Sequence, residues 1–139
     1  MTSQEKKEFL QQYRTAESEE RRLEMEIERW QARAAKMTAG YGSTPAGSGD
    51  GRSLERTVAH IDALIRQLTG QRDKLARLRR EIGTTIDSVP DPKLQELLRL
   101  RYIENLSFER IAVRMNYSWR QVIRIHGVAL SKVVIECHI

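Results

Sequence analysis

The sequence predicts an all-α protein: two long helices folded back as an antiparallel hairpin or coiled coil, then a compact domain of three shorter helices. Three observations predict it. Two long stretches repeat apolar residues at alternating steps of four and three. The last part of the chain breaks into three shorter apolar patterns, punctuated by Asp91-Pro92, Asn105-Leu106-Ser107 and Asn116-Tyr117-Ser118. Apolar residues are 40% of the 139 and charged residues 31%, too few apolar side chains for one large spherical core but enough for narrow seams.

The first helix is expected over residues 1–37. Phe9, Tyr13, Ala16, Glu20, Leu23, Ile27, Trp30, Ala34 and Met37 form a heptad seam that only Glu20 interrupts, and no Gly or Pro breaks residues 3–37. Residues 38–52 read as a flexible linker: from Thr38 to Gly51 five of fourteen residues are Gly and one is Pro. A phosphate-cradling loop would need a Gly-Lys-Ser/Thr end between a strand and a helix, and neither is present. The second long helix is expected over residues 53–89, with Ser53 as N-cap and Glu55 in its first turn. Its seam reads Leu54, Val58, Ile61, Ile65, Leu68, Arg72, Leu75, Arg79, Ile82 and Ile86, with arginines at two core positions and Leu64 and Leu78 widening the stripe. Pro90 and Pro92 close the helix. A stripe this wide leaves apolar surface over, which favours pairing with another subunit into a homo-oligomer, a dimer or tetramer.

The domain at residues 90–139 opens with Asp91 as N-cap and proline at the first helical position. Leu94, Leu97, Leu98, Arg101, Tyr102 and Ile103 carry a helix to about residue 104, followed by a turn at Asn105-Leu106. Ser107 caps a short helix with Phe108, Ile111, Ala112 and Met115. Asn116-Tyr117 turns the chain, Asn suiting a left-handed conformation. Ser118 caps the last helix, with Val122, Ile125, Ala129, Leu130 and Val133 inward.

Short helix, tight turn and longer helix make a helix-turn-helix. Two helices crossing steeply need a small contact residue, here Ala112, and a turn tolerant of positive φ, here Asn116. Val122 supplies the inward β-branched residue of the second helix. Charge agrees with this reading. From Arg110 to Lys132 the chain has Arg110, Arg114, Arg120, Arg124 and Lys132 and no Asp or Glu, whereas the first 37 residues hold eight basic and eight acidic side chains. The net charge of +5 is thus weighted towards the C-terminal half, as expected of a phosphate-binding face. Candidate base-contacting residues on the outward side of the last helix are Trp119, Arg120, Gln121, Ile123 and Arg124, with Gly127 beside them. Arg pairs bidentately with guanine and Gln with adenine. Trp119 suits thymine methyls or sugars, although a Trp in this place more often packs on the edge of the domain core. Candidate phosphate contacts include Ser107 and Ser118 at helix N-termini, with Arg114 and Lys132.

The segments Leu98–Ile103, Leu106–Ala112 and Tyr117–Lys132 resemble region four of bacterial sigma factors, the part that binds the upstream promoter element. The layout of two long helices, a Gly-rich linker and this terminal module is similar to small phage-encoded sigma-like regulators. The resemblance implies that Trp119, Arg120, Gln121, Ile123 and Arg124 form the recognition surface and that Arg101 and Arg110 contact phosphates. Trp119 and Ile123 stand where that family is usually strongly polar, so no promoter preference carries over. The family's segments for gripping the polymerase core and melting the promoter have no counterpart here.

Other classes are set aside. The longest apolar runs are a few residues, Val133-Val134-Ile135 among them, too short for a bilayer span. Met1-Thr2-Ser3-Gln4-Glu5-Lys6-Lys7 leads into no apolar signal core. Cys137, the single cysteine, permits no internal disulfide. The expected compartment is the cytoplasm, and the resemblance implies that of a bacterial host cell. His60, His126 and His138 are dispersed, and Cys137-His138 alone falls short of the four ligands of a zinc site, so neither a metal, a cofactor nor an enzyme activity is expected. The function expected is sequence-specific binding of double-stranded DNA by a phage-type transcription regulator. A small terminase-like packaging protein and a helical adaptor on host RNA polymerase are the alternatives.

Overall fold

The computed structural model describes residues 1–40 and 50–135. It is all-α, with five helices and no strand among the described residues: α1 (Ser3–Gly40), α2 (Asp50–Asp87), α3 (Pro92–Tyr102), α4 (Phe108–Met115) and α5 (Trp119–Lys132). The two long helices encroach on the expected linker. Thr38 and Ala39 offer nothing that stops a helix, so α1 continues to Gly40. α2 starts at Asp50, which places Ser53 inside the helix instead of at its cap, its carbonyl accepting from Thr57 Oγ1 at 2.9 Å. The centre of the Gly-rich segment, residues 41–49, lies outside the described residues, as do Cys137 and His138.

The chain forms two compact units. One is Glu17–Lys74. Its core is Leu23 and Ile27 of α1 with Leu64 and Leu68 of α2, and Trp30 packs against them. The Trp30 ring meets the His60 ring edge-on at 4.5 Å, and Arg33 lies 5.2 Å from the Trp30 centroid on the same helix. Arg72 pairs with Glu24 at 2.9 Å and more loosely with Glu20 at 3.8 Å. The acidic break in the α1 seam thus finds one of the arginines of α2. Partner numbers on α2 fall as those on α1 rise: Glu20 and Glu24 with Arg72, Trp30 with His60, Met37 with Thr57.

The seam of α2 differs from its sequence reading at four positions. Its buried or half-buried positions include Leu54, Thr57, Ile61, Leu64, Leu68, Gln71, Leu75, Leu78, Ile82 and Ile86. Leu54, Ile61, Leu68, Leu75, Ile82 and Ile86 are common to both patterns. Between them the buried row is 57, 64, 71, 78, and the expected row Val58, Ile65, Arg72, Arg79 is exposed. The reason is the cost of desolvating a guanidinium, which exceeds what two exposed β-branched residues would gain. The row chosen holds two leucines, and its Thr57 hydroxyl is satisfied by a backbone carbonyl. Val58 and Ile65 are left 47% and 42% exposed.

The other unit is Met1–Ala16 with Leu75–Ile139. The sequence divides the chain at residue 90, whereas packing joins α3–α5 to the start of α1 and the end of α2. One core holds Leu10, Tyr13 and Ala16 with Leu78, Ile82, Ile86, Val89, Leu94, Leu98, Tyr102, Ala129, Leu130 and Val133. Leu10, fully buried, falls outside the expected seam because this helix end is covered on more than one side. Lys6 Nζ donates to the Leu130 carbonyl at 3.0 Å, an acceptor in the last turn of α5 that also takes the backbone N–H of the cap residue Val133 at 3.2 Å. A second core, Leu97, Leu100, Ile111, Ala112 and Val122, joins α3, α4 and α5.

Local chemistry fixes the short helices. Asp91 caps α3 through Oδ1, which accepts from Lys93 N at 2.9 Å, with Pro92 at the first position. Gln95 Nε2 donates to the carbonyls of Asp87 and Val89, and Arg99 pairs with Asp87, so the start of α3 is tied to the end of α2. Asn105 and Asn116 both adopt φ of 58°, the left-handed conformation that Asn tolerates better than most residues. No helix among the described residues is long and apolar enough to cross a membrane.

Candidate nucleic-acid interface

The candidate interface is built on α4, α5 and the three residues between them. Ser107 caps α4, its Oγ accepting from Arg110 N at 3.2 Å. Asn116 ends α4 in the left-handed conformation, and Tyr117 N returns to the Ala112 carbonyl at 2.9 Å. This places Ser118 to cap α5 at once. Ser118 Oγ accepts from Gln121 N at 3.2 Å while Gln121 Oε1 accepts from Ser118 N at 2.9 Å, a reciprocal capping box. Ala112 and Ile111 of α4 meet Val122 of α5 in the second core, where a larger side chain at 112 would hold the helices apart.

All five candidate base-contacting residues are exposed: Trp119, Arg120, Gln121, Ile123 and Arg124. Trp119, the first residue of α5, is 51% exposed, and Val122 takes the inward position one turn on. Ile123 is 37% exposed. Of the residues expected at phosphates, Arg110, Arg114 and Lys132 are exposed, as is Ser118. Ser107 is half-buried. Both serine oxygens accept from backbone, and each hydroxyl keeps its proton to donate.

Two candidates carry other duties. Arg101 is half-buried, its guanidinium 4.0 Å from the Phe108 ring centroid and its Nη1 donating to the Leu106 carbonyl at 3.0 Å. It therefore braces the loop before α4. Gln121 Oε1 belongs to the capping box, so reading adenine with both amide atoms would require opening the cap.

Sequence reasoning missed the group behind the surface. His126 is buried on the inner side of α5, and its Nε2 lies 2.6 Å from Tyr102 Oη of α3. The Phe108 ring meets the His126 ring edge-on at 5.0 Å. Burial pulls the His126 pKa down to about 4, helped by the positive charges of Lys7 and Arg101. Burial likewise pushes the Tyr102 hydroxyl up to about 12, against a smaller opposite pull from Arg101. Both groups are neutral at pH 7, and the pair joins α3 to α5. The periodicity of α5 held a signal for this, since His126 lies four residues after inward Val122 and four before inward Leu130.

The charge distribution follows the packing. The unit containing α4 and α5 has fourteen Lys and Arg against nine Asp and Glu, and Glu17–Lys74 has ten against ten. The whole excess of +5 therefore lies in the unit that carries α4 and α5. Among the described residues no cluster of three His, Cys, Asp or Glu side chains is placed to hold a metal ion. The exposed groups on α4 and α5 are mostly cations with hydroxyl and amide groups, beside one acid, Glu109, and the large apolar side chains Val113, Trp119, Ile123 and Val128. No protein-family description, no curated protein and no solved structure matches the chain.

Proposed function

We propose that this protein is a sequence-specific double-stranded DNA-binding transcription regulator of the phage or prophage type. In this reading α4 and α5 are a helix-turn-helix with α5 as its recognition helix, and α1 with α2 is an antiparallel helical hairpin that serves oligomerisation. One observation carries it: α4 and α5 are joined by a three-residue turn with a left-handed Asn116, and the outward side of α5 shows Arg120 and Arg124 in a run without acids from 110 to 132. In this reading the N-terminal half of α5 enters a major groove, and its two arginines support contacts to phosphates and guanines. A homodimer would read two half-sites roughly 34 Å apart or a multiple of that. Host RNA polymerase is a further partner under the adaptor form of the reading.

The test is footprinting on duplexes recovered from a random-sequence pool, with Arg120→Ala plus Arg124→Ala as comparison. The double variant should lose about 30-fold or more in affinity, the sum of two contacts of ~1–3 kcal/mol each. It should also show a shallower dependence on salt. Unchanged binding by the double variant overturns the assignment of α5. Light scattering of the full chain separates a dimer or tetramer from a ring of eight or more, which would favour a packaging protein.

A further inference from the structure

Resting on that DNA-binding reading, we propose that Trp119 and Ile123 read the 5-methyl groups of thymine, so that the selected site holds thymines beside the bases contacted by Arg120 and Arg124. The outward surface of α5 includes two rows at four-residue spacing. One is Trp119, Ile123 and Gly127, the other Arg120 and Arg124, followed one step further by exposed Val128. Both start in the first turn, the part of a recognition helix that enters the major groove deepest.

Trp119 and Ile123 are large, apolar and exposed, and they stand on a surface whose neighbouring row is cationic and free of acids. An occupant that satisfies both rows together must be an anion with small apolar handles. The major groove of a duplex supplies them, because phosphates flank it and the thymine methyl is the one apolar group on its floor in unmodified DNA. The spacing suits this occupant. Ile123 lies about 6 Å along the helix axis from Trp119 at 1.5 Å per residue. That is about two base-pair steps of 3.4 Å.

Two further features fit. Gln121, the side chain chemically suited to adenine, has its Oε1 on the Ser118 amide, so an A·T pair is read from the thymine side. At Gly127 a Cβ would meet nothing in the chain within 4 Å, so the apolar row ends in bare, open backbone that lets the duplex approach closely.

The experiment uses the full chain and a duplex recovered from a random-sequence pool. That duplex is resynthesised with uracil for thymine either inside the protected site or only outside it. Uracil keeps the base pairing and removes the methyl alone. Inside the site it should cost about fourfold in affinity for each contacted thymine, equivalent to the ~0.8 kcal/mol of one buried methylene. Outside the site it should cost nothing. Ile123→Ala and Trp119→Ala, each checked for an unchanged thermal melt, should bring the thymine-to-uracil affinity ratio towards one. Selective binding that is indifferent to uracil overturns this proposal and leaves DNA recognition standing. A ratio unchanged in both variants overturns the assignment to these residues. Failure to enrich any sequence from the pool overturns the DNA-binding reading itself.

Discussion

His126 sits against Tyr102 and Phe108, and the positive charges of Lys7 and Arg101 act on it. A protonated imidazole here would lose water and gain cationic neighbours, which is why its pKa falls to about 4 from 6.5. Between those two values the unfolded chain binds a proton that the folded chain refuses. The pair's contribution to stability is therefore full above about pH 6.5 and lost as pH falls towards 4. Its size is about 2 kcal/mol, somewhat less than the full shift at 1.36 kcal/mol per unit because solvent retains partial contact. Urea unfolding at pH 7, 5.5 and 4.5 checks this. The gap between wild type and Tyr102→Phe/His126→Phe should close or reverse on acidification, and parallel pH profiles would show that His126 titrates normally. The same residue teaches why sequence reading passed it by. A histidine among apolar neighbours looks like a chemical group in search of partners, whereas its position in the inward row makes it a core residue with one hydrogen-bonding need, met by Tyr102.

Among the elements, α2 shows how a heptad can be read with the right period and a wrong second row. Ile61, Leu68, Leu75 and Ile82 satisfy both candidate seams, so periodicity alone leaves the choice open. Side-chain cost decides it: Leu64 and Leu78 go inward and Arg72 and Arg79 stay out. Leu64→Ala should therefore cost about 2–4 kcal/mol, whereas Ile65→Ala, one residue away, should cost under about 1 kcal/mol. Denaturant midpoints of the two variants measure the difference, and equal losses would restore the other row. The short helices α3, α4 and α5 were legible in advance because their signals are local. Asp91-Pro92, Ser107 and Ser118 each satisfy backbone groups within three residues, and Asn116 needs only its own conformation.

Across the whole molecule, the first sixteen residues of the chain belong to the same compact unit as the last helices. Leu10 and Tyr13 complete the core on which Leu94, Leu98, Ala129, Leu130 and Val133 rest, and Lys6 holds the last turn of α5. A fragment of residues 90–139 should therefore unfold with low cooperativity and expose those side chains, although it contains α3, α4 and α5 entire. Circular dichroism against temperature would show this as a broad, early transition beside a sharp one for the full chain. A fragment melting as sharply as the full chain would mean that α1 contributes nothing to this unit. The arrangement also accounts for the charge. The +5 is not spread along the chain but belongs to this one unit, and Glu17–Lys74 balances its own charges.

Legible along the chain alone were the all-α class, the caps of the three short helices, the three-residue turn and the outward placement of Arg120, Ile123 and Arg124. Each follows from forces acting within a few residues: hydrogen bonds at helix ends, the 3.6-residue period, the tolerance of Asn for positive φ. Only the tertiary structure decided the second row of α2, the burial of Leu10 and His126, the bracing role of Arg101 and the inclusion of Met1–Ala16 beside α5. Those depend on desolvation and packing between segments as far apart as Lys6 and Leu130, and a one-dimensional pattern holds no record of which distant surface will cover a side chain.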